Sequence, residues 1–247
     1  MERKPIIRVE DLVKSFEGNR VIDGVSFSLF QGENLVLLGK SGTGKSVIMK
    51  CIVRLLEPDG GTIEVFGKEI GKCSENELAK IRTRIGYLFQ EGALYDSMSI
   101  RENLLFPALR NNGLRKLPEK KLNELVERNL ESVGLVDALD KMPSELSGGM
   151  KKRAGLARSL MLSPELIIYD EPTTGLDPFT SGAINELILH IRESYNTSSI
   201  IITHDIKCAE ATGDRLLVLH DGKIIAEGSF NDLKKNTDGE VQTFFKY

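Results

Sequence analysis

Eight residues constrain this chain more than any others. Gly39-Lys40-Ser41-Gly42-Thr43-Gly44-Lys45-Ser46 fits G-x-x-x-x-G-K-[ST] at every fixed position. The stretch follows the apolar run Asn34-Leu-Val-Leu-Leu38 and opens a helix predicted over Lys45–Leu56, ending before Pro58. An apolar run of that length reads as a strand buried on both faces. The motif therefore demands a strand, a tight glycine loop and a helix in immediate succession. Its physics is that of an anion cradle. Glycines let consecutive backbone N–H groups curl without Cβ clashes. The helix N-terminus adds unpaired donors and the positive end of its dipole. Lys45 brings a point charge for β- and γ-phosphates, the Ser46 hydroxyl is a ligand for Mg²⁺, and Val47 follows in the first helical turn.

Further strands are predicted on both sides. Ile7 and Val9 lead into Leu12–Phe16, and Val21–Phe30 places Val25, Phe27 and Leu29 on one face at period two. Thr62–Phe66, Ile85–Phe89, Leu166–Tyr169, Ser199–Ile202, Leu216–Leu219 and Lys223–Ala226 also read as strands. From about Ser97 to Met161 the periodicity is helical, and another helix is predicted over Phe179–Ser194. The pattern is that of an α/β core with a helical segment inserted in its middle. That insertion is rich in Arg110, Arg115, Lys116, Lys120, Lys121, Lys151, Lys152 and Arg153, which form either a solvated face or a contact surface.

A second acidic element stands at the end of a strand, in Leu166-Ile-Ile-Tyr-Asp170-Glu171-Pro172. Beside a phosphate loop, Asp170 is a candidate for the Mg²⁺ shell and Glu171 for the base that polarises an attacking water. Taken alone, an Asp-Glu pair before proline would be a turn or a helix cap.

Composition narrows the classes. The 247 residues carry 33 Lys+Arg against 36 Asp+Glu, a net charge of −3, with 40% hydrophobic and 28% charged residues. That is a globular composition, and it argues against binding nucleic acid through bulk charge. Cys51, Cys73 and Cys208 form no CxxC pair, so neither disulfide scaffolding nor zinc binding has support. The N-terminal Met1–Glu10 stretch has no long apolar segment of the kind a secretory leader needs. No apolar run approaches the ~20 residues that span a bilayer, so work at a membrane would require another chain.

A third motif carries a resemblance. Leu146-Ser147-Gly148-Gly149-Met150 resembles the LSGGQ signature of ABC-type ATPases and precedes the Asp-Glu pair, as it does in that family. Gln90, closing Ile85-Gly-Tyr-Leu-Phe-Gln90, is similar to the Q-loop glutamine that meets the metal and senses the partner. Thr174-Gly-Leu-Asp177 resembles the D-loop, and His204 after Ser199–Thr203 resembles the switch histidine at the γ-phosphate. Phe16 stands where an aromatic ring stacks on adenine, although a strand phenylalanine is also an ordinary core residue. The chain is thus identified as a member of the ABC ATPases over its whole length. The resemblance implies one ABC ATPase domain over 1–247. It would comprise an α/β, RecA-like P-loop core with a β-rich edge, about 1–90 and 163–247, and a helical subdomain over about 91–162. It implies ATP and Mg²⁺ as cofactors, with Ser46, Gln90 and Asp170 around the metal. Glu171, His204 and Gln90 would be catalytic. Ser147, Gly148 and Gly149 would grip the nucleotide of a second copy in a head-to-tail homodimer, with Asp177 nearby. Met150 departs from the usual glutamine and removes its amide, while the backbone donors of Gly148 and Gly149 remain.

The stretch Gln90-Glu-Gly-Ala-Leu-Tyr-Asp-Ser-Met-Ser-Ile-Arg-Glu-Asn-Leu104 narrows the resemblance to ATPases of MCE/Mla-type lipid transporters. That implies two ATPase subunits beneath two integral membrane permeases, at the cytoplasmic face of the inner membrane. An MCE-domain protein, and in some members a STAS-domain regulator, would complete the assembly. Within this stretch Gly92–Met98, with Ala93, Leu94, Tyr95 and Met98, is expected either to grip the permease or to fill the seam between the subdomains. An amino-acid importer ATPase, a soluble ABC ATPase and a nucleotide-sensing module without turnover are the alternatives. The aromatic tail Thr243-Phe-Phe-Lys-Tyr247 either docks a partner or packs on its own domain.

Overall fold

The computed structural model describes residues 4–245. Two sheets share the chain. A four-stranded antiparallel sheet has the order β2-β1-β4-β5. Its strands are β1 (Pro5–Phe16), β2 (Asn19–Phe30), β4 (Gly60–Val65) and β5 (Lys68–Glu69). A six-stranded sheet has the order β10-β9-β3-β8-β7-β6. It is built from β3 (Asn34–Leu38), β6 (Ile85–Leu88), β7 (Leu166–Asp170), β8 (Ser198–Thr203), β9 (Arg215–His220) and β10 (Lys223–Gly228). All neighbouring pairs in this sheet are parallel except β9–β10.

The apolar run predicted as a doubly covered strand is that. All five residues of β3 are buried. Leu35 and Leu37 point to the core shared with the antiparallel sheet and α1 (Lys45–Ile52), while Val36 and Leu38 point to the core under the helices. In β2, Gly24 at φ +71° interrupts the alternation, so Ile22 and Val25 both face inward although three residues apart.

Between β6 and β7 lie α3 (Ile100–Arg110), α4 (Glu119–Ser132) and α5 (Gly148–Leu160). Ser99 and Glu102 close a capping box at the start of α3. Beyond β7 come α6 (Pro178–Tyr195), α7 (Ile206–Thr212), α8 (Phe230–Lys234) and α9 (Gly239–Phe245). No helix among the described residues is long and apolar enough to cross a membrane.

One expectation changes, one helix is added, and one open reading is decided. The helix predicted over Lys45–Leu56 stops at Ile52. Arg54 turns left-handed at φ +52°, and the Arg82 guanidinium donates to the carbonyls of Val53 and Arg54 at 2.9 Å each. A helix without a prediction, α2 (Glu75–Arg82), starts at a Ser74/Glu77 capping box whose S-x-x-E spacing was readable. The aromatic tail packs on its own domain: Phe244 is buried and Phe245 meets Phe230 edge to face at 5.5 Å. Lys246 and Tyr247 lie outside the described residues.

The two sheets meet at the phosphate loop. A Cβ on Gly44 would sit 2.5 Å from Ile22 Cδ1, and one on Gly222 would sit 2.5 Å from the Val21 carbonyl oxygen. The Asp23 N–H donates to the Gly222 carbonyl at 2.9 Å. Val21–Asp23 is thus wedged between two glycine turns.

Candidate functional site

The carboxyl ends of β3, β6, β7 and β8 converge, where parallel sheets open their crevices. A cleft of about 330 Å³ lies there. Ser41, Gly42, Gly44, Lys45, Ser46, Val47, Gln90, Asp170, Glu171 and His204 line it, together with Val21 and Thr174.

The loop holds its shape through Gly42 at φ +82° and Gly44 at φ +100°, where a side chain would be strained. Lys45 is 5% exposed. Its Nζ donates to the carbonyls of Gly39 at 2.6 Å and Lys40 at 2.9 Å, and stands 3.5 Å from Glu171 Oε1. Burial lowers its pKa below that of an ordinary lysine, and the neighbouring carboxylates of Glu171 and Asp170 oppose the shift. Lys40 is exposed, with its Nζ 5.9 Å from the centre of the Phe244 ring. Thr43 Oγ1 donates back to the Lys40 carbonyl at 2.9 Å.

Across the cleft, Asp170 Oδ1 lies 3.5 Å from Ser46 Oγ, and Asp170 Oδ2 accepts from the Tyr87 hydroxyl at 3.2 Å. Burial raises the Asp170 pKa and Glu171 adds to the rise, against the hydrogen bonds from Tyr87 and Ser46. Glu171 sits at φ +50°, left-handed backbone for a residue with a side chain. Its N–H donates to the Ile202 carbonyl at 2.9 Å. Its Oε2 accepts from Thr174 Oγ1 at 3.0 Å and meets His204 Nδ1 at 2.8 Å. A carboxylate only accepts, so this contact places the imidazole proton on Nδ1.

The remaining predicted residues stand apart from this cleft. Phe16 ends β1 and is 40% exposed, with Lys14 Nζ 5.5 Å from its ring centre. Ser147 caps α5 by accepting the Met150 N–H at 3.3 Å. Ser147 and Gly148 are exposed, whereas Gly149 is buried, and a Cβ there would come 2.5 Å from Thr180 Cγ2. The Asp177 carboxylate caps α6, accepting the N–H groups of Phe179 and Thr180 at 3.0 Å each and the Thr180 hydroxyl at 2.5 Å.

Two site residues were missed. Tyr87 carries only a strand signal in the sequence. Lys152 stands in the basic string expected to form either a solvated face or a contact surface, but it is 4% exposed. Its Nζ donates to the carbonyls of Glu171 at 3.0 Å, Pro172 at 2.9 Å and Thr174 at 2.8 Å. The signal was its spacing: Gly149, Lys152, Leu156 and Leu160 form the buried stripe of α5.

A groove of about 550 Å³ adjoins the site, lined in part by Tyr87, Phe89, Ala93, Tyr95, Phe106 and Arg158. Tyr87 stacks on Phe89 at 4.1 Å and Tyr95 meets Phe106 at 4.7 Å. A permease-gripping surface over Gly92–Met98 would need its apolar residues exposed, and only some of them are. Ala93 and Tyr95 are exposed, Gly92 is buried, Met98 is half-buried, and Leu94 packs against the core. A Cβ on Gly92 would meet the Lys151 carbonyl oxygen at 2.7 Å, so the start of this segment is packed against α5.

A lysine and helix N-terminus facing two carboxylates, a hydroxyl and a histidine suit a polyphosphate, a divalent cation and a polarised water. Comparisons with known proteins point to a nucleotide. The profile of the family described as ABC transporter matches residues 22–174. The probable ribonucleotide transport ATP-binding protein mkl of Mycobacterium leprae is 40% identical over 238 residues, covering 96% of this chain and 68% of that protein. The intermembrane phospholipid transport system ATP-binding protein MlaF of Haemophilus influenzae is 39% identical over 242 residues, covering 98% and 90%. Among solved structures, cbiO1 of Clostridium perfringens, part of the ABC transporter complex cbiONQ, superposes with a TM-score of 0.85 at 31% identity, covering 94% and 91%. The dimeric ATP-binding cassette MJ0796 bound to ADP and Pi gives 0.82 at 26%, covering 91% and 98%.

Proposed function

The chain belongs to the ABC transporter family as an ATP-binding subunit that hydrolyses ATP, and from that premise we propose that it powers phospholipid movement through a separate membrane permease. The observation that carries the catalytic half is the Glu171 carboxylate, held between His204 Nδ1 at 2.8 Å and Lys45 Nζ at 3.5 Å at the mouth of the phosphate loop.

The N–H groups at the start of α1 and the Lys45 ammonium hold the β- and γ-phosphates. Ser46, Asp170 and Gln90 offer hydroxyl, carboxylate and amide oxygens, the hard donors that suit Mg²⁺, which when bound neutralises phosphate charge. Glu171 accepts the proton of the attacking water at its carboxylate. His204 keeps that carboxylate turned toward the phosphates. Phe16 stacks on the base. Ser147, Gly148 and Gly149 of one copy face the nucleotide of the other, so two chains make two composite sites and Asp177 lies along their contact.

The transport half rests on the likeness of Gln90–Leu104 to lipid-transport ATPases and on the relative named for phospholipid transport. In this reading the dimer lies peripherally on the cytoplasmic face of the inner membrane. The groove beside Tyr95 receives the permease, and an MCE-domain protein and a STAS-domain regulator act with the complex. The test is reconstitution with the permease in vesicles carrying a labelled phospholipid. ATP-dependent lipid movement, lost with Glu171→Gln, is the expected result. An ATPase rate indifferent to both permease and lipid would overturn the transport half.

A further inference from the structure

The ammonium of Lys152 is buried against the turn that follows β7. An ammonium has three donors and no acceptor. Here all three point at backbone carbonyls of one turn, those of Glu171, Pro172 and Thr174, at 3.0, 2.9 and 2.8 Å. No carboxylate forms an ion pair with it among the described residues. The turn it holds begins with Glu171, whose left-handed backbone persists only if its surroundings fix it. On the far side that turn is pinned by the Glu171 N–H on the Ile202 carbonyl. Lys152 therefore supplies the other half of the clamp that aims the carboxylate.

The clamp also has a direction. Lys152 is five residues from Ser147, about 7.5 Å along one rigid helix. The N-terminal end of that helix, Ser147 and Gly148, is exposed. Further along the same helix, Gly155 lies so close to Gly92 that a Cβ would meet the Gly92 carbonyl oxygen at 2.7 Å, and Arg158 donates to the Ala93 carbonyl at 2.8 Å. One element thus touches the face that would grip the partner copy's phosphate, the segment after Gln90, and the backbone of Glu171.

We propose that Lys152 is a positioning residue for hydrolysis, setting the Glu171 carboxylate through its own backbone and transmitting engagement of the α5 N-terminus to it. The proposal rests on Glu171 as the base and Ser147 as the inter-subunit grip. The three carbonyls surround a compact point donor, which a planar guanidinium does not reproduce.

The test uses the full chain and four variants: Lys152→Met, Lys152→Gln, Glu171→Gln and the Lys152→Met/Glu171→Gln double. Lys152→Met should lower kcat about 10–100-fold, the scale of an ångström-level misplacement. The ATP dissociation constant by calorimetry should stay within about threefold, because the phosphate loop is untouched. Lys152→Gln, with two donors, should recover part of the loss. In the Glu171→Gln background, Lys152→Met should lower the residual rate no further, because both changes remove one function. The ATP-dependent dimer of Glu171→Gln on size exclusion should survive the added substitution. Multiplicative losses, a lost dimer, or unchanged kcat in Lys152→Met would each overturn the proposal. So would melting of both lysine variants well below wild type, which would make Lys152 a folding residue. Wild-type turnover in Glu171→Gln alone would instead remove the premise about the base.

Discussion

The Tyr87 hydroxyl reaches Asp170 Oδ2 at 3.2 Å, while its ring, 4.1 Å from Phe89, lines the apolar groove. One side chain therefore spans from the groove to the carboxylate proposed for Mg²⁺. Tyr87→Phe keeps the ring and deletes the donor. The Mg²⁺ concentration for half-maximal ATPase should rise about tenfold, equivalent to about 1.4 kcal/mol and close to the worth of a hydrogen bond to a charged group. ATP affinity measured in EDTA should not change.

Binding and turnover should separate cleanly at the two ends of the Lys45–Glu171 contact. Glu171→Gln keeps the shape and should lower turnover ~10²–10⁴-fold while ATP still binds and the dimer accumulates. Lys45→Ala should instead abolish measurable binding by calorimetry. Turnover in the first variant or affinity in the second at wild-type level would remove that residue from its role.

Phe16 offers a ring and no hydrogen bond to a base edge, and it is accessible at 40% exposure. Stacking is worth about 1–3 kcal/mol and tolerates any base. GTP should therefore be hydrolysed within roughly tenfold of ATP, and Phe16→Ala should weaken both nucleotides alike. Strict ATP selectivity in a side-by-side phosphate-release assay would contradict this.

For the groove, Tyr95 is the residue to change, because Leu94 is committed to the core. Tyr95→Asp puts a charge on the groove rim and gives up the ring contact with Phe106, so it should cost about 0.5–1.5 kcal/mol of stability. Basal ATPase should hold while co-purification with the permease is lost. Normal co-purification would mean that the permease binds elsewhere.

Much of the site was legible because its determinants are local. Gly39–Ser46 and Asp170–Glu171 each follow a buried strand, and parallel pairing of β3, β8 and β7 brings them together without further information. Ser147 as the cap of α5 and the extent of α6 were likewise readable from adjacent residues. What escaped depends on residues far apart in sequence. Arg82 ends α1 from 28 and 29 residues away. Lys152 looks like one more surface cation in a basic string until its helix is laid against the Glu171 turn. Leu94 reads as an exposed loop residue until the core under the helices packs against it.

The wedge at Val21–Asp23 has a consequence for genetics. Gly44 belongs to the phosphate loop, but Gly222 is a turn residue outside the cleft, and the same strand segment separates them. A side chain at Gly222 must displace Val21, which lines the cleft, and Ile22, which abuts Gly44. A screen for alleles that fail to retain nucleotide will therefore return changes at Gly222 and along β2. Those alleles will look like folding defects of a peripheral hairpin, although their lesion is in the wall of the binding site.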